Sequence, residues 1–136
     1  MTKFEGPIKE IPYSSEVVYQ FLSNFDNFED LLPAEHIEEW HSSGDSCRFK
    51  VNGIGEVGLR IVEKEEFSVI KFSGDGKTPF NFFLWIQLKD KEENDSRVKL
   101  TIKADLNPML KMVVTTPIAK FLEVVTEAIA SHNYPF

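Results

Sequence analysis

Cysteine is almost absent from the sequence, since Cys47 is the only one among 136 residues. A single thiol cannot form an intrachain disulfide or a thiolate metal cluster, and this scarcity is typical of the reducing cytoplasm. Long hydrophobic segments are absent too, because the longest aliphatic or aromatic run covers only residues 82–86 and the first residues lack a signal-peptide core. Position 2 is not glycine and no cysteine lies near the C-terminus, which excludes the usual lipid anchors. We therefore expect a cytoplasmic protein.

Positive charge is also scarce, because 15 Lys and Arg residues against 22 Asp and Glu residues give a formal net charge of -7. This excess of negative charge repels phosphate backbones and anionic lipid surfaces, so we expect neither nucleic acid binding nor membrane insertion. The 42% hydrophobic content, with 12 Phe, indicates a folded chain. The length of the chain predicts a single domain spanning residues 1–136.

The clearest helical pattern lies near the C-terminus, at residues 117–129. Its large apolar side chains recur at i, i+3, i+4, i+7 and i+11 and form a single stripe, which must pack on a broad apolar surface. The stripe consists of Ile118, Phe121, Leu122, Val125 and Ile129. Asn107-Pro108 and Thr116-Pro117 both resemble an N-cap followed by a proline in the first helical position. This repetition predicts a short helix, a break and then the long helix.

The remainder of the chain is dominated by β-strand patterns. Residues 3–11 predict a first strand, and two short amphipathic helices follow, the first capped near Ser14 and the second carrying Phe28 and Leu31 before Pro33 ends it. From about His36 onward, apolar and polar residues alternate in consecutive segments, with Asn52-Gly53 as a tight hairpin signal. The pattern predicts one antiparallel sheet whose apolar face is covered by the C-terminal helix.

Residues 53–58 match the Gly-x-Gly-x-x-Gly fingerprint of dinucleotide-binding proteins. In those proteins a helix follows the glycines and its N-terminus binds the pyrophosphate. Here the next residues alternate like a strand, so we interpret the segment as part of a hairpin. Gly58 is expected to mark a bulge or bend that allows the sheet to curl.

The sequence contains no convincing catalytic or metal-binding constellation. The titratable candidates are His36, His41, Glu56, Arg60 and Asp75. His36 and His41 fall on opposite faces of a regular strand without a carboxylate at ligand spacing, so we expect no metal and no cofactor. Glu56 and Arg60 share the solvent face and are expected to form a surface ion pair, and His132 is expected to be exposed. These residues favour a binding protein over an enzyme.

The order of predicted elements resembles the helix-grip fold of the SRPBCC superfamily. This group includes START lipid-transfer domains, birch-pollen-allergen-like proteins, polyketide aromatase/cyclases and Hsp90-activator-like domains. The resemblance is carried by residues 11–22, by the segment from Asn27-Phe28 to Pro33 and by the helix at residues 117–129. It implies an α+β fold in which a curved antiparallel sheet of about six to seven strands wraps around a long C-terminal helix, with two short helices after the first strand.

The resemblance also implies an apolar cavity between the sheet and the C-terminal helix. The expected lining consists of Phe49, Leu59, Ile61, Phe72, Phe82, Leu84, Leu100, Met109, Met112, Leu122 and Val125. A solid core would use the same side chains, and both interpretations stay open. The implied ligand is small and hydrophobic or amphipathic, either lipid-like or aromatic and polyketide-like. Two alternatives are a polyketide cyclase/dehydratase-like enzyme and an Hsp90-activator-like protein-interaction domain.

Two aromatic residues, Phe83 and Trp85, interrupt the polar outer face of the predicted sheet. Neighbouring lysine stems and Thr101 can cover the rings in cross-strand pairs. Alternatively, the two rings form a patch for self-association or for a partner. We accordingly expect a monomer or a weak homodimer.

Overall fold

The structure, a computed structural model, describes residues 1–32 and 35–135. Eight antiparallel strands form one sheet in the described residues: β1 Thr2–Glu5, β2 Lys9–Ile11, β3 Ile37–Ser42, β4 Ser46–Val51, β5 Gly55–Glu65, β6 Val69–Gly74, β7 Phe82–Glu92 and β8 Asp95–Ala104. Their order in the sheet is β1-β8-β7-β6-β5-β4-β3, and β2 also pairs with β8. The helices are α1 Ser15–Leu22 and α2 Pro108–Ser131. The predicted α+β architecture, with a long C-terminal helix against an antiparallel sheet, is confirmed.

The predicted first strand is divided into β1 and β2, which both pair with β8. Gly6 lies between them and donates its N–H to the Leu100 carbonyl at 2.9 Å. A Cβ atom on Gly6 would lie 3.2 Å from Cβ of Leu122 in α2. The missing side chain therefore allows α2 to pack closely against the sheet at this point.

Helix α1 is tied to β7 at its first turn. Ser14 is the N-cap, as predicted, and its side chain accepts from Val17 N at 3.3 Å. Asp90 of β7 accepts from both the N–H and the hydroxyl of Ser15, each at 2.8 Å. Val18 and Leu22 then place the apolar face of the helix in the core, both fully buried.

Replacing Asp90 with alanine is expected to lower the free energy of unfolding by about 1–2 kcal/mol, because it removes two hydrogen bonds and a negative charge at a helix N-terminus. Urea titration followed by circular dichroism measures the change. Lys91→Ala, at an exposed neighbouring position, is the matched control and should change stability by less than about 0.5 kcal/mol. Equal effects of the two substitutions would contradict a specific role for Asp90.

The second predicted short helix is reduced to a single 3-10 turn at Phe25–Asn27. Asn24 caps this turn by accepting from Asp26 N at 2.9 Å. The amides of Leu31 and Leu32 both donate to the Phe28 carbonyl at 3.0 Å, which forms a further turn rather than a helix. The predicted end of the helix at Pro33 lies outside the described residues.

The predicted break before the long helix is wrong, because α2 is continuous and contains Pro117 in its interior. Proline removes one hydrogen bond to the carbonyl four residues earlier, here that of Val113. Val113 is 61% exposed, so water can reach this part of the helix. Pro117 also packs against the β4–β5 turn, since a Cβ on Gly53 would lie 2.7 Å from its Cγ. The predicted cap at Asn107 is present, with Leu110 N donating to its side chain at 2.8 Å.

The C-terminal tail, residues 132–135, packs against the body of the protein, and His132 is not exposed, contrary to the expectation. Tyr134 is 4% exposed, and its hydroxyl donates to the Ile129 carbonyl at 2.7 Å. The ring of His132 lies 4.9 Å from the centroids of both Phe21 and Tyr134 and is half-buried. The tail is therefore held against α1 by aromatic packing, which a sequence pattern of isolated aromatic residues does not indicate.

Gly58 does not form the predicted bulge. It pairs regularly with Arg48 in the β4–β5 ladder, and the irregularity in β5 lies between Ile61 and Glu63. A Cβ on Gly58 would lie 2.0 Å from the Asp75 carbonyl oxygen, and Asp75 N donates to the Gly58 carbonyl at 2.9 Å. Gly58 therefore allows the β6–β7 loop to cross over the outer face of β5.

Candidate functional site

Two small voids lie between α2 and the concave face of the sheet. The first, which we call the hairpin void, has about 30 Å³ and is lined by Phe49, Val51, Ile54, Val57, Leu59, Phe80, Phe82, Leu84, Ile102, Ile118 and Phe121. The second, the aromatic void, has about 20 Å³ and is lined by Phe25, Phe28, Leu32, Ile37, Trp40, Phe49, Leu59, Phe72, Leu84, Ile86, Leu100, Phe121 and Val125. Each void is large enough for little more than one water molecule.

A cleft of about 220 Å³ opens to the surface beside these voids. It lies between α2, the start of β3 and the β4–β5 turn, and is lined by His36, Ile37, Val51, Asn52, Thr116, Pro117, Lys120, Phe121, Val124 and Val125. Its walls are largely apolar, whereas Lys120 and His36 are at its rim. The cleft thus combines an apolar interior with polar groups near solvent.

Phe121 is a common wall of the cleft and both voids. Its ring is half-buried and parallel to the ring of Phe49, with 6.4 Å between centroids and 6° between planes. The three spaces therefore meet at this side chain. The sequence pattern assigned Phe121 to the apolar stripe of the helix and gave no sign of this position.

The predicted lining residues divide into three groups. Seven of them border the voids: Phe49, Leu59, Phe72, Phe82, Leu84, Leu100 and Val125. Leu122 is 1% exposed and Ile61 is half-buried, and neither borders a void or the cleft. Both residues pack in the core instead.

Met109 and Met112 do not lie at a cavity mouth, contrary to the prediction. They are 78% and 85% exposed. The prediction assumed a break in the helix, but the continuous α2 turns Val114 toward the sheet and directs both methionines outward. The two side chains therefore belong to the outer surface of the first turns of α2.

Trp40 is a site residue that the sequence analysis missed. Its ring stacks on Phe28, with centroids 5.9 Å apart, and on Phe49, with centroids 5.4 Å apart. The indole Nε1 is shielded from solvent and has no hydrogen-bond partner among the described residues. Strict alternation fails in β3 because the register shifts between Glu38 and His41, with Glu39 at a φ of 53°. The one signal in the sequence for a buried side chain at this position was a single tryptophan within a run of polar residues.

The titratable candidates do not line the two voids. Glu56 pairs with Arg48, with 2.9 Å between Oε1 and Nη2, so the predicted pair with Arg60 is wrong. Arg60 instead approaches Asp75, with 3.9 Å between Nε and Oδ1. His41 is exposed, and only His36 borders the cleft. Within residues 1–32 and 35–135, no group of three or more His, Cys, Asp or Glu side chains could hold a metal ion.

Arg48 holds the β6–β7 loop on the outer face of the sheet. Its Nη1 donates to the Asp75 carbonyl at 3.0 Å and its Nη2 to the Lys77 carbonyl at 2.8 Å, while Nε donates to Glu56 at 3.0 Å. This loop also carries Phe80, which borders the hairpin void. The outer-face contacts of Arg48 therefore help to close the void from the other side of the sheet.

Cys47 is buried in β4, 3% exposed, and this burial raises the pKa of its thiol from 9.0 to about 12. The protonated thiol is favoured in the folded chain, so its contribution to stability is fully present below pH 9 and is lost as the pH rises toward 12. Between pH 7.5 and 10.5, we expect the wild type to lose roughly 1–2 kcal/mol more stability than Cys47→Ala, measured by urea unfolding. Equal losses in both proteins would show that Cys47 does not titrate differently on unfolding.

The aromatic pair on the outer face is covered by lysine side chains. Lys71 Nζ lies 4.6 Å from the ring centroid of Phe83 and 5.4 Å from that of Trp85, and Lys103 Nζ lies 5.8 Å from Trp85. Thr101 is directly opposite Trp85 in the β7–β8 ladder. Both rings are half-buried, which favours cross-strand packing over an open docking patch.

A larger groove of about 810 Å³ lies between the C-terminal half of α2 and a wall that includes Lys9, Leu31 and His36. It is open to solvent, and much of its lining is charged or polar, including Glu35, Glu123, Glu127 and His132. Small-molecule sites are usually concave and mostly apolar. Despite its size, this groove is therefore a weaker candidate than the cleft at Phe121. No helix in the described part of the chain combines the length and the apolarity needed to cross a membrane.

Neither a protein-family model nor a curated protein sequence matches the chain. Solved structures, in contrast, do match the chain. A crystal structure of a putative uncharacterized protein from Bacillus thuringiensis is similar at 20% identity, with a TM-score of 0.64, over 94% of this chain and 98% of that one. Norcoclaurine synthase from Thalictrum flavum, in complex with dopamine and hydroxybenzaldehyde, is similar at 14% identity, with a TM-score of 0.70, over 97% and 88%.

The Aha1 dimer from Colwellia psychrerythraea is similar at 20% identity, with a TM-score of 0.66, over 96% of this chain and 98% of that one. The likeness to each structure extends over nearly the whole of both chains, whereas the identities are low. It therefore concerns the arrangement of the sheet and helices, as the resemblance predicted. The chain has the helix-grip fold.

Proposed function

We propose that this protein binds one small hydrophobic or amphipathic molecule between the sheet and α2, in the space around Phe121. The observation that carries the proposal is that one half-buried ring borders both the surface cleft and two voids with apolar linings. Apolar surface in such a space gains free energy by excluding water. A ligand that displaced Phe121 would fill the cleft and reach the voids behind it.

The lining favours a flat aromatic ligand over a long acyl chain. Phe25, Phe28, Trp40, Phe49 and Phe121 surround the aromatic void with ring faces and edges, and aromatic pairs gain energy beyond their buried area. The cleft of about 220 Å³, together with the two small voids behind it, suits a molecule of one or two rings. The bound dopamine and hydroxybenzaldehyde of norcoclaurine synthase, which shares the fold, are ligands of this kind.

The geometry supports binding more than catalysis or partner recognition. General acid–base chemistry requires titratable groups that converge on the substrate, and His36 at the rim of the cleft is the one histidine near the site among the described residues. A role like that of an Hsp90 activator would use an exposed surface such as Phe83 and Trp85, which Lys71 and Lys103 cover. The cyclase/dehydratase and interaction-domain alternatives therefore have less support.

Native mass spectrometry of the protein purified from its own cells tests the proposal. We expect retained mass above that of the 15.6 kDa chain. In parallel, thermal unfolding with a panel of naphthalenes, phenols and fatty acids should show stabilisation that grows with concentration, corresponding to about 2.7 kcal/mol at one hundred times Kd. A bare chain together with no shift across the panel would contradict the proposal.

Phe121→Ala provides the structural control, because it removes the side chain that borders the cleft and both voids. We expect it to change the Kd for 1-anilinonaphthalene-8-sulfonate by at least about threefold, since it removes part of the wall and creates space for the probe. Met112→Ala, on the exposed face of the same helix, should leave that Kd unchanged. Identical Kd values for the wild type, Phe121→Ala and Met112→Ala would show that the probe binds away from the cleft and the voids.

A further inference from the structure

The indole nitrogen of Trp40 stands out among the buried polar groups. Its Nε1 is inaccessible to solvent and is the one buried side-chain nitrogen or oxygen without a hydrogen-bond partner in the described part of the chain. Buried indole N–H groups normally have an acceptor, because leaving a donor unpaired costs free energy. Trp40 also lines the aromatic void, so the unpaired donor belongs to a residue of the proposed binding site.

Local rearrangement does not provide an obvious acceptor. The ring of Trp40 is stacked on Phe28, with planes 6° apart, and on Phe49, with planes 25° apart. Phe25 lies 6.1 Å away on a third side. Turning the N–H toward solvent would break these contacts, so the packing holds the indole in place.

A water molecule is a poor partner at this site. A buried water normally makes about three hydrogen bonds, and it needs several polar groups around it. The side chains that line the aromatic void are all apolar apart from the indole N–H itself. An acceptor attached to an otherwise apolar molecule is better suited to such a space.

We infer that Trp40 is a specificity residue whose Nε1–H donates a hydrogen bond to a neutral oxygen, such as a carbonyl or an aryl ether, on a flat aromatic ligand. This inference rests on the proposed function. A carboxylate is disfavoured at the end of the ligand that contacts Trp40, because no cationic side chain lines the aromatic void and a buried charge requires a partner. A polar or anionic group on the ligand would instead lie in the cleft, near Lys120 and His36.

A matched pair of probes separates the hydrogen bond from the packing. 2-Acetylnaphthalene and 2-ethylnaphthalene have similar shapes, and only the first carries a carbonyl oxygen. We expect the wild-type protein to bind 2-acetylnaphthalene up to about tenfold more tightly in isothermal titration calorimetry. In Trp40→Phe, which keeps an aromatic ring but lacks the donor, this preference should disappear while the Kd for 2-ethylnaphthalene stays within about twofold.

Nuclear magnetic resonance gives a direct readout of the bond. The indole proton of Trp40 should move downfield on addition of 2-acetylnaphthalene and much less with 2-ethylnaphthalene. Trp85→Phe, which removes the other indole on the outer face of the sheet, identifies the signal and should leave both Kd values unchanged.

The possible outcomes distinguish a failure of the inference from a failure of the proposed binding function. If both probes bind the wild type equally, or if Trp40→Phe keeps the same preference, the inference is wrong and the binding function stands. If Trp40→Phe weakens both probes to the same extent, Trp40 acts through packing alone, which also overturns the inference. If neither probe binds the wild type, the proposed aromatic site and the inference fail together.

Discussion

Replacing Gly58 with alanine is expected to lower the free energy of unfolding by roughly 3 kcal/mol. The added Cβ would lie 2.0 Å from the Asp75 carbonyl oxygen and 2.6 Å from Nη1 of Arg48. Arg48 can move, but the Asp75 oxygen belongs to the backbone, so the clash is relieved only by displacing the loop. This displacement would also break the 2.9 Å hydrogen bond from Asp75 N to the Gly58 carbonyl and the contact of Arg48 with the loop.

The matched control is Gly74→Ala, in the neighbouring strand β6. There the nearest atom to the added Cβ is Cε1 of Phe82, at 3.2 Å, which is a side-chain atom. We expect a loss of about 1 kcal/mol or less, because the ring can shift slightly. Urea unfolding measures both variants, and hydrogen exchange should show faster exchange at residues 75–80 in Gly58→Ala alone. A Gly58→Ala protein as stable as Gly74→Ala would disprove the close approach of the loop.

Leu122→Ala is expected to reduce the free energy of unfolding by about 3 kcal/mol, whereas Met112→Ala should change it by less than about 0.5 kcal/mol. Leu122 is 1% exposed and faces Gly6 and the sheet, so its truncation leaves a cavity at the closest approach of α2. Met112 is 85% exposed on the same helix. Both residues belonged to the predicted cavity lining, and the comparison separates the two faces of α2.

Chemical denaturation of the two alanine variants under identical conditions is the appropriate measurement. Both substitutions place the residue with the best helix propensity in α2, so helix propensity cannot produce a large difference between them. The difference must therefore come from burial. A loss of more than about 2 kcal/mol on truncating Met112 would mean that the first turns of α2 pack against the sheet and that the helix breaks near Pro117, as the sequence suggested.

The sequence alone determined the arrangement of elements. Alternation with a period of two specified the strands, and the stripe from Ile118 to Ile129 specified the inner face of α2, whose residues Leu122, Val125 and Ile129 are buried as predicted. Asn52-Gly53 specified the β4–β5 turn, in which Gly53 has a φ of +81°. These signals are local, because each depends on neighbouring residues of one element and on which of its side chains are apolar.

Only the tertiary structure decided how these elements pack against one another. Pro117 remains within α2 because its ring packs against Gly53 and the helix is exposed to solvent at Val113, although the Thr-Pro pair resembles a helix start. Trp40 points into the core because β3 shifts its register near Glu39, and Phe121 becomes a common wall because three spaces meet at its ring. Void sizes, close approaches and an unpaired donor depend on atoms from distant parts of the chain, so a one-dimensional pattern does not contain them.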